Sequence, residues 1–177
     1  LFICKEVTKG QGVRGDTVLG RKCAQIHSDE IMAAVKGSDI AIIVAGMGGG
    51  TGTGAASVVS ELCDRVGVKT AAIAVMPFTF EGTDRQQTAA EGYRALHVVC
   101  KNLLRIENDR VLSEPLRSMN EAMETVNRSI VEAVQNEIDD AYKAVRESIT
   151  RKLAKLRDGG ETEDAKVSVD APQVLGF

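Results

Sequence analysis

Residues 41–57, AIIVAGMGGGTGTGAAS, decide how this chain folds. The segment opens inside a continuous apolar run, DIAIIVAG at 39–46, of the kind found in strands covered on both faces. Five glycines then fall among the seven residues Gly48–Gly54, with Thr51 and Thr53 between them, and a small-residue helical pattern follows. Glycines after a strand let the backbone turn through conformations that other residues resist. Lacking side chains, they bring N–H groups close to a ligand, and the following helix aims its positive end at the same place. The guest such a junction accepts is an anion, most naturally a phosphate chain, to which Thr51 and Thr53 would add hydroxyl donors. The bland alternative is a flexible turn without a ligand. The run is not a P-loop, since no Gly-Lys-Ser/Thr ends it, and not a G-x-G-x-x-G turn with an acid some twenty residues on.

Outward from this junction, strand and helix alternate. LFICKEV at 1–7 reads as a short strand. Thr17 offers an N-cap, and Leu19, Cys23, Ile26 and Val35 form a helical stripe ended by Gly37. A second helix is expected from about Gly54 to Val66, stopping at Gly67. VKTAAIAVM at 68–76 is another buried strand, TDRQQTAAEGYRALHVVCKNLL at 83–104 a third helix, and LLRIEN at 103–108 a further strand. The expected fold is an α/β doubly wound parallel sheet. Such sheets bind ligands at the carboxyl ends of their strands. GQGVRGDT, GMGGGTGTG, PFTFEGTDR and ENDR all lie there.

The 177 residues suit one domain with a small appendage. Apolar residues make up 44%, aromatics only 3%, and there is no Trp, so the core is aliphatic. A net charge of -3 leaves no basic stripe for nucleic acid. No signal-peptide pattern and no bilayer-length apolar run argue for a cytoplasmic protein without membrane insertion. Cys4, Cys23, Cys63 and Cys100 form no C-x-x-C pair, and the last three fall at apolar helical positions, which reads as reduced, buried thiols. His27 and His97 have no neighbours at metal spacing, so no protein metal site is expected.

GGGTGTG at Gly48–Gly54 resembles the signature loop of the tubulin/FtsZ family, and its surroundings are closest to the prokaryotic FtsZ branch. EVTKGQGVRGDTVLGRK at 6–22, PFTFEGTDR at 77–85 and IENDRVL at 106–112 are similar to that branch's terminal-phosphate, ribose-facing and base-facing loops, in the same order and spacing. The resemblance implies a Rossmann-like GTPase-type fold and a GTP/GDP-binding protein of cell division, with Mg2+ accompanying the nucleotide. It implies head-to-tail self-association into filaments and leaves room for other division proteins as partners. By the same resemblance, Gly48, Gly49, Gly50, Thr51, Gly52 and Thr53 would hold the phosphates. Gly12, Val13 and Gly15 would lie near the terminal phosphate, with Arg14 beside them, either adding a charged contact there or directed to solvent. Glu81 and Arg85 would contact the ribose and its neighbourhood; without the flanking motif an exposed loop ion pair is the better account of them. Asn108 would bond the guanine edge or the ribose. Asn127 stands where the family accepts guanine's N1 and N2 donors, and an amide oxygen can do this. Met123, a helical turn earlier, would cover the base, or else belong to the core.

Two features depart from the family. Its further Gly-rich phosphate loop and first strands have no counterpart here; in the order 3-2-1-4-5-6 this would open a gap beside AIIVAG and mark the chain as a fragment. Its acid loop, N-x-D-x-x-D, follows the long central helix, whereas here that helix runs on. Leu116, Met119, Met123, Val126, Ile130, Val134, Ile138, Ala141, Val145, Ile149, Leu153 and Leu156 form one stripe at a mean spacing near 3.6, roughly 60 Å of straight helix. Residues 1–140 are thus expected to form the nucleotide domain and 141–177 a charged helical extension and tail. RDGGETEDAK reads as a linker and VSVDAPQVLGF as a weak strand; only Asp170 echoes the acid loop. Two functions follow: a GTPase hydrolysing at a site shared between subunits, or a non-catalytic nucleotide-sensing or regulatory relative.

Overall fold

The computed structural model describes Thr8, residues 12–113 and residues 118–157, with side chains to Ala154. The expected strand at 1–7, Leu116, and the linker and tail beyond residue 157 lie outside the described residues.

Helices α1 (Thr17–Ile26) and α2 (Ser28–Val35) precede strand β1 (Ile40–Gly46). Then come α3 (Gly50–Arg65), β2 (Lys69–Met76), a 3-10 turn (Thr79–Glu81), α4 (Thr83–Val99), β3 (Asn102–Glu107), a second 3-10 segment (Asn108–Ser113) and α5 (Met119–Arg157). The three strands form one parallel sheet in the order β1-β2-β3. Ile43 pairs with Ala72 and Ala45 with Ala74. Side chains alternate faces along each strand, so these four, with Met76, share one face and pack against Val58, Val59, Leu62 and Cys63 of α3 and Ala89 and Leu96 of α4. Val75 points the other way, into a second cluster of Phe78, Val111, Ala122, Val126 and Ile130. Helices therefore cover both faces, as expected of a doubly wound sheet: α3 and α4 on one, α5 on the other.

Four local readings need correction. The single helix expected from Thr17 is broken at His27 into α1 and α2. His27, at φ -95° and ψ 24°, is the C-cap of α1 and the N-cap of α2, and Asp29 and Glu30 then suit the positive start of the new helix. The N-cap is Asp16, not Thr17; its carboxylate accepts from Leu19 N at 2.9 Å. Helix α3 begins at Gly50 rather than Gly54. Strand β1 is not covered on both faces: Val44 is 41% exposed. The reason is that α5 crosses only part of that face, and no strand pairs with the outer edge of β1 among the described residues. The thiol reading also fails in part. Cys63 and Cys100 are free and buried, with burial pushing both thiols up, but Cys23 is in a disulfide. Sequence spacing does not reveal which sulfurs a fold brings together.

Helix α5 does run on without a stop, for 39 residues, about 58 Å at the α-helical rise. Asn102 Nδ2 donates to Glu137 Oε2 at 2.7 Å, tying its middle to the start of β3. Among the described residues, no helix is long and apolar enough to cross a membrane.

Candidate functional site

The glycine run divides into parts with different physical work. Gly48 alone in it has positive φ, +88°, and makes the turn that leaves β1. A Cβ there would also meet Arg85 Cγ at 2.7 Å and Arg85 O at 2.8 Å. Gly49 is the extended N-cap of α3 (φ -98°, ψ 168°), and no side chain caps that helix. No described atom outside its chain neighbours lies within 4 Å of where a Gly49 Cβ would stand. Gly50, Gly52 and Gly54 lie in the helix and are packed. A Cβ at Gly50 would meet Val13 Cγ2 at 2.4 Å and Asp16 N at 2.7 Å; at Gly52, Gly46 O at 2.3 Å; at Gly54, Thr17 O at 2.2 Å. These three are glycine because other backbone occupies the place of their side chains.

The two threonines also separate. Thr51 is exposed. Thr53 is buried, and its Oγ1 accepts from Gly48 N at 2.9 Å, so it braces the turn. Its methyl faces Gly92, where a Cβ would stand 2.2 Å away.

Three further segments converge on this junction. In the first, Gly12, Arg14 and Gly15 have positive φ, and Asp16 N bonds Val13 O at 2.9 Å. This tight loop sits on the start of α3: Val13 is buried against Gly50, while Gly12, Arg14 and Gly15 are exposed. In the second, the loop after β2 lies over Gly48 through Pro77 and Arg85. Gln86 Nε2 holds it from below, donating to Pro77 O at 3.0 Å and Phe78 O at 2.8 Å. Glu81 Oε1 accepts from Phe78 N at 2.7 Å, and its other oxygen pairs with Arg85 Nε at 2.9 Å. The ion-pair reading of Glu81 and Arg85 is therefore realised geometrically, inside a loop the pair also shapes.

In the third, the segment after β3 locks onto the second. Asp109 accepts from both the N–H of Thr79, at 2.9 Å, and its hydroxyl. These bonds, the hydroxyl's first, hold the Asp109 carboxyl below its usual range. Asn108, next to it, is buried, and its Oδ1 has no hydrogen-bond partner among the described residues. A buried unpaired amide oxygen is costly unless a ligand or water completes it.

Helix α5 closes the group. Val126 packs with Phe78 and Val111, which sets Met123 and Asn127 beside the loop after β2. Both are exposed, and Met123, at 43%, is not a core residue. A recess of about 200 Å³ lies further along, between β3 and α5, lined by Arg105, Arg110, Val126 and Ser129 among others, away from the glycine turn. Sequence reading missed Gln86, Thr79 and Asp109, since nothing local marks a side chain whose partner is 8 or 30 residues away. The Asp at 16 was legible, because Asp outranks Thr as an N-cap.

The Thr79–Asp109 clamp carries a pH expectation. A carboxyl depressed in the folded state contributes fully above its ordinary titration range, and that contribution is lost as pH falls through the folded value. Thr79→Ala should move the Asp109 titration back up toward an ordinary aspartate, measured by carbon-detected NMR of the carboxyl. An unmoved titration would mean that the Thr79 hydroxyl is not its cause.

Residues 1–114 match the model of the Tubulin/FtsZ family, GTPase domain. The chain is 38% identical over 137 residues to the cell division protein FtsZ of Coxiella burnetii, covering 76% of this chain and 35% of that one. It thus spans about a third of that relative's length. Among solved structures, the empty FtsZ dimer of M. jannaschii superposes with a TM-score of 0.69 at 34% identity, over 75% of this chain and 39% of the other. A GTPγS-bound protofilament of CetZ2 from Haloferax volcanii superposes with a TM-score of 0.68 at 28% identity, over 76% and 42%.

Proposed function

The chain belongs to the tubulin/FtsZ family, and from that premise we propose that it is the guanine-nucleotide-binding part of a filament-forming cell-division GTPase acting in the cytoplasm. The observation that carries this reading is the start of α3. An uncapped 16-residue helix begins at the carboxyl end of β1, behind a glycine whose missing side chain faces open space. Its first N–H groups need partners, and a phosphate chain supplies them with the charge the helix end favours.

On this reading the backbone of Gly48, Gly49, Gly50, Thr51 and Gly52 receives the phosphates, with Thr53 acting through Gly48. The loop of Gly12, Val13 and Gly15 borders the terminal phosphate. Glu81 and Arg85 shape the loop that meets the ribose. Asn108 Oδ1, buried and unpaired, accepts from base or ribose, Asn127 accepts from guanine, and Met123 covers the base. Among the described residues no group of three or more His, Cys, Asp or Glu could hold a metal. Mg2+ would ride on the nucleotide's own phosphates, as this ion commonly does. Residues 1–140 form the nucleotide domain in this proposal and 141–177 its extension.

GTP should bind better than ATP, because adenine presents an acceptor at N1 and no amino group at C2. Leaving the asparagine oxygens unpaired costs about 1–3 kcal/mol, so roughly tenfold or greater discrimination is expected in a competition assay. Equal displacement of labelled GTP by ATP would remove Asn127 and Asn108 from the base site.

Hydrolysis needs a positioned water as well as a phosphate cradle. Asp16 caps α1, and the resemblance to the family implies that the water-positioning acid comes from a neighbouring subunit. Residues 1–177 alone should then hydrolyse GTP negligibly, and in a protein that also carries the acid loop phosphate release per molecule should rise with protein concentration. Turnover that stays constant per molecule on dilution excludes the shared site.

A further inference from the structure

Val13, Arg14, Gly15 and Asp16 make a tight turn, closed by Asp16 N donating to Val13 O at 2.9 Å. Both central residues have positive φ, +47° at Arg14 and +85° at Gly15. That is the pattern of a type I′ turn, whose central places favour glycine, asparagine and aspartate. Among the described residues, Arg14 alone has positive φ without being glycine. The conformation is costly for a residue with a long side chain. A glycine at 14 would build the same turn without that cost, so the turn itself does not explain an arginine. Outliers of this kind concentrate at ligand sites.

The turn lies on the start of α3. A Cβ at Gly50, the first residue of that helix, would meet Val13 Cγ2 at 2.4 Å, from one end of the turn, and Asp16 N at 2.7 Å, from the other. Arg14 is one peptide unit from Val13, about 3.8 Å between Cα atoms, and it is exposed. It therefore stands beside the uncapped helix N-terminus that receives the phosphates in the function proposed above. The glycine run itself supplies no cation, since residues 46–54 contain neither Lys nor Arg. Arg85, which lies over Gly48, pairs through its Nε with Glu81 at 2.9 Å, and Arg110 lines the recess away from the turn. A guanidinium meets phosphate oxygens two at a time.

We propose that Arg14 binds the terminal phosphate of the nucleotide, so that this turn tells a triphosphate from a diphosphate. The inference rests on the reading of the α3 start as the phosphate cradle. Backbone N–H groups of the cradle hold the phosphates that GTP and GDP share. Arg14 adds a charge-assisted contact that only the triphosphate can accept, and that contact offsets the strain of its backbone.

Titration calorimetry of the full chain in Mg2+, with GDP and the slowly hydrolysed analogue GTPγS, tests this. The wild type should bind GTPγS more tightly than GDP. Arg14→Gly should weaken GTPγS at least about tenfold, the size of a lost hydrogen bond to a charged group, and leave GDP within about threefold. It should melt no lower than the wild type, because glycine adopts positive φ freely. Arg14→Gln keeps the strained backbone and loses only the charge, and it should lose GTPγS as the glycine variant does. Arg14→Lys keeps the charge without the planar fork and should fall between Arg14→Gln and the wild type. Unchanged GTPγS affinity in the glycine and glutamine variants, or an equal loss for GTPγS and GDP, would overturn the proposal and leave the phosphate cradle standing. A wild type that binds neither nucleotide would overturn the cradle, and this inference with it.

Discussion

Gly49→Val is expected to abolish measurable GTP binding, by at least about a hundredfold in Kd, or close to 3 kcal/mol, in a protein that still folds. The two halves of this expectation rest on separate facts. The fold should survive because Gly49 has an extended backbone (φ -98°, ψ 168°) that any residue adopts, and its Cβ would meet no described atom within 4 Å. Binding should not survive because the new methyls enter the space in front of the uncapped α3 N-terminus, where a phosphate must come within hydrogen-bond distance of backbone N–H groups. Titration calorimetry beside a thermal melt separates the two. Wild-type affinity in a folded Gly49→Val protein would rule out this turn as the phosphate cradle.

Gly54→Val is expected to do the opposite: to cost the fold, whatever the nucleotide does. Its Cβ would stand 2.2 Å from Thr17 O and 2.8 Å from Arg21 N, both backbone atoms of α1. Gly20 faces back from α1, where a Cβ would stand 2.3 Å from Gly50 O. The two helices touch through their main chains, and no rotamer change relieves a clash with main chain. Overpacking ordinarily costs about 1–3 kcal/mol. A branched side chain that must push two helices apart should exceed that, at roughly 4 kcal/mol or more, a large part of the 5–15 kcal/mol that holds a domain together. Urea unfolding followed by circular dichroism should show a large fall in midpoint or no folded baseline at all. A midpoint within experimental error of wild type would mean that α1 and α3 are not in main-chain contact. Gly50→Val belongs to the same class. Read from sequence, Gly50 bordered only the phosphates, and a valine there would have blocked binding with the helices intact. In the structure its Cβ collides with Val13 and Asp16 first, so lost binding in that variant would report lost packing.

These glycines mark the boundary between what was legible in the chain and what was not. Strand β1, the glycine junction, strand β2, helix α4, strand β3 and the unbroken α5 could all be read from sequence, because each depends on the hydrophobic period of neighbouring residues. The carboxyl-end clustering of the candidate loops followed from that alternation alone. The same short-range signals could not say which glycine turns and which one packs, since the answer depends on which distant atom fills the place of the missing side chain. Thr53 was read as a hydroxyl donor, and only the fold shows that its oxygen also accepts from Gly48 N. Gln86 and Asp109 looked like ordinary surface residues until the loop after β2 was set between them. Asn108 was read as a base or ribose contact only through the family resemblance, and only the fold shows its amide oxygen buried without a partner among the described residues. Periodicity and propensity are properties of adjacent residues, so the sequence by itself determined the elements and their order. Burial, close approach and hydrogen-bond pairing arise between residues far apart in the chain, and those only the tertiary structure decided.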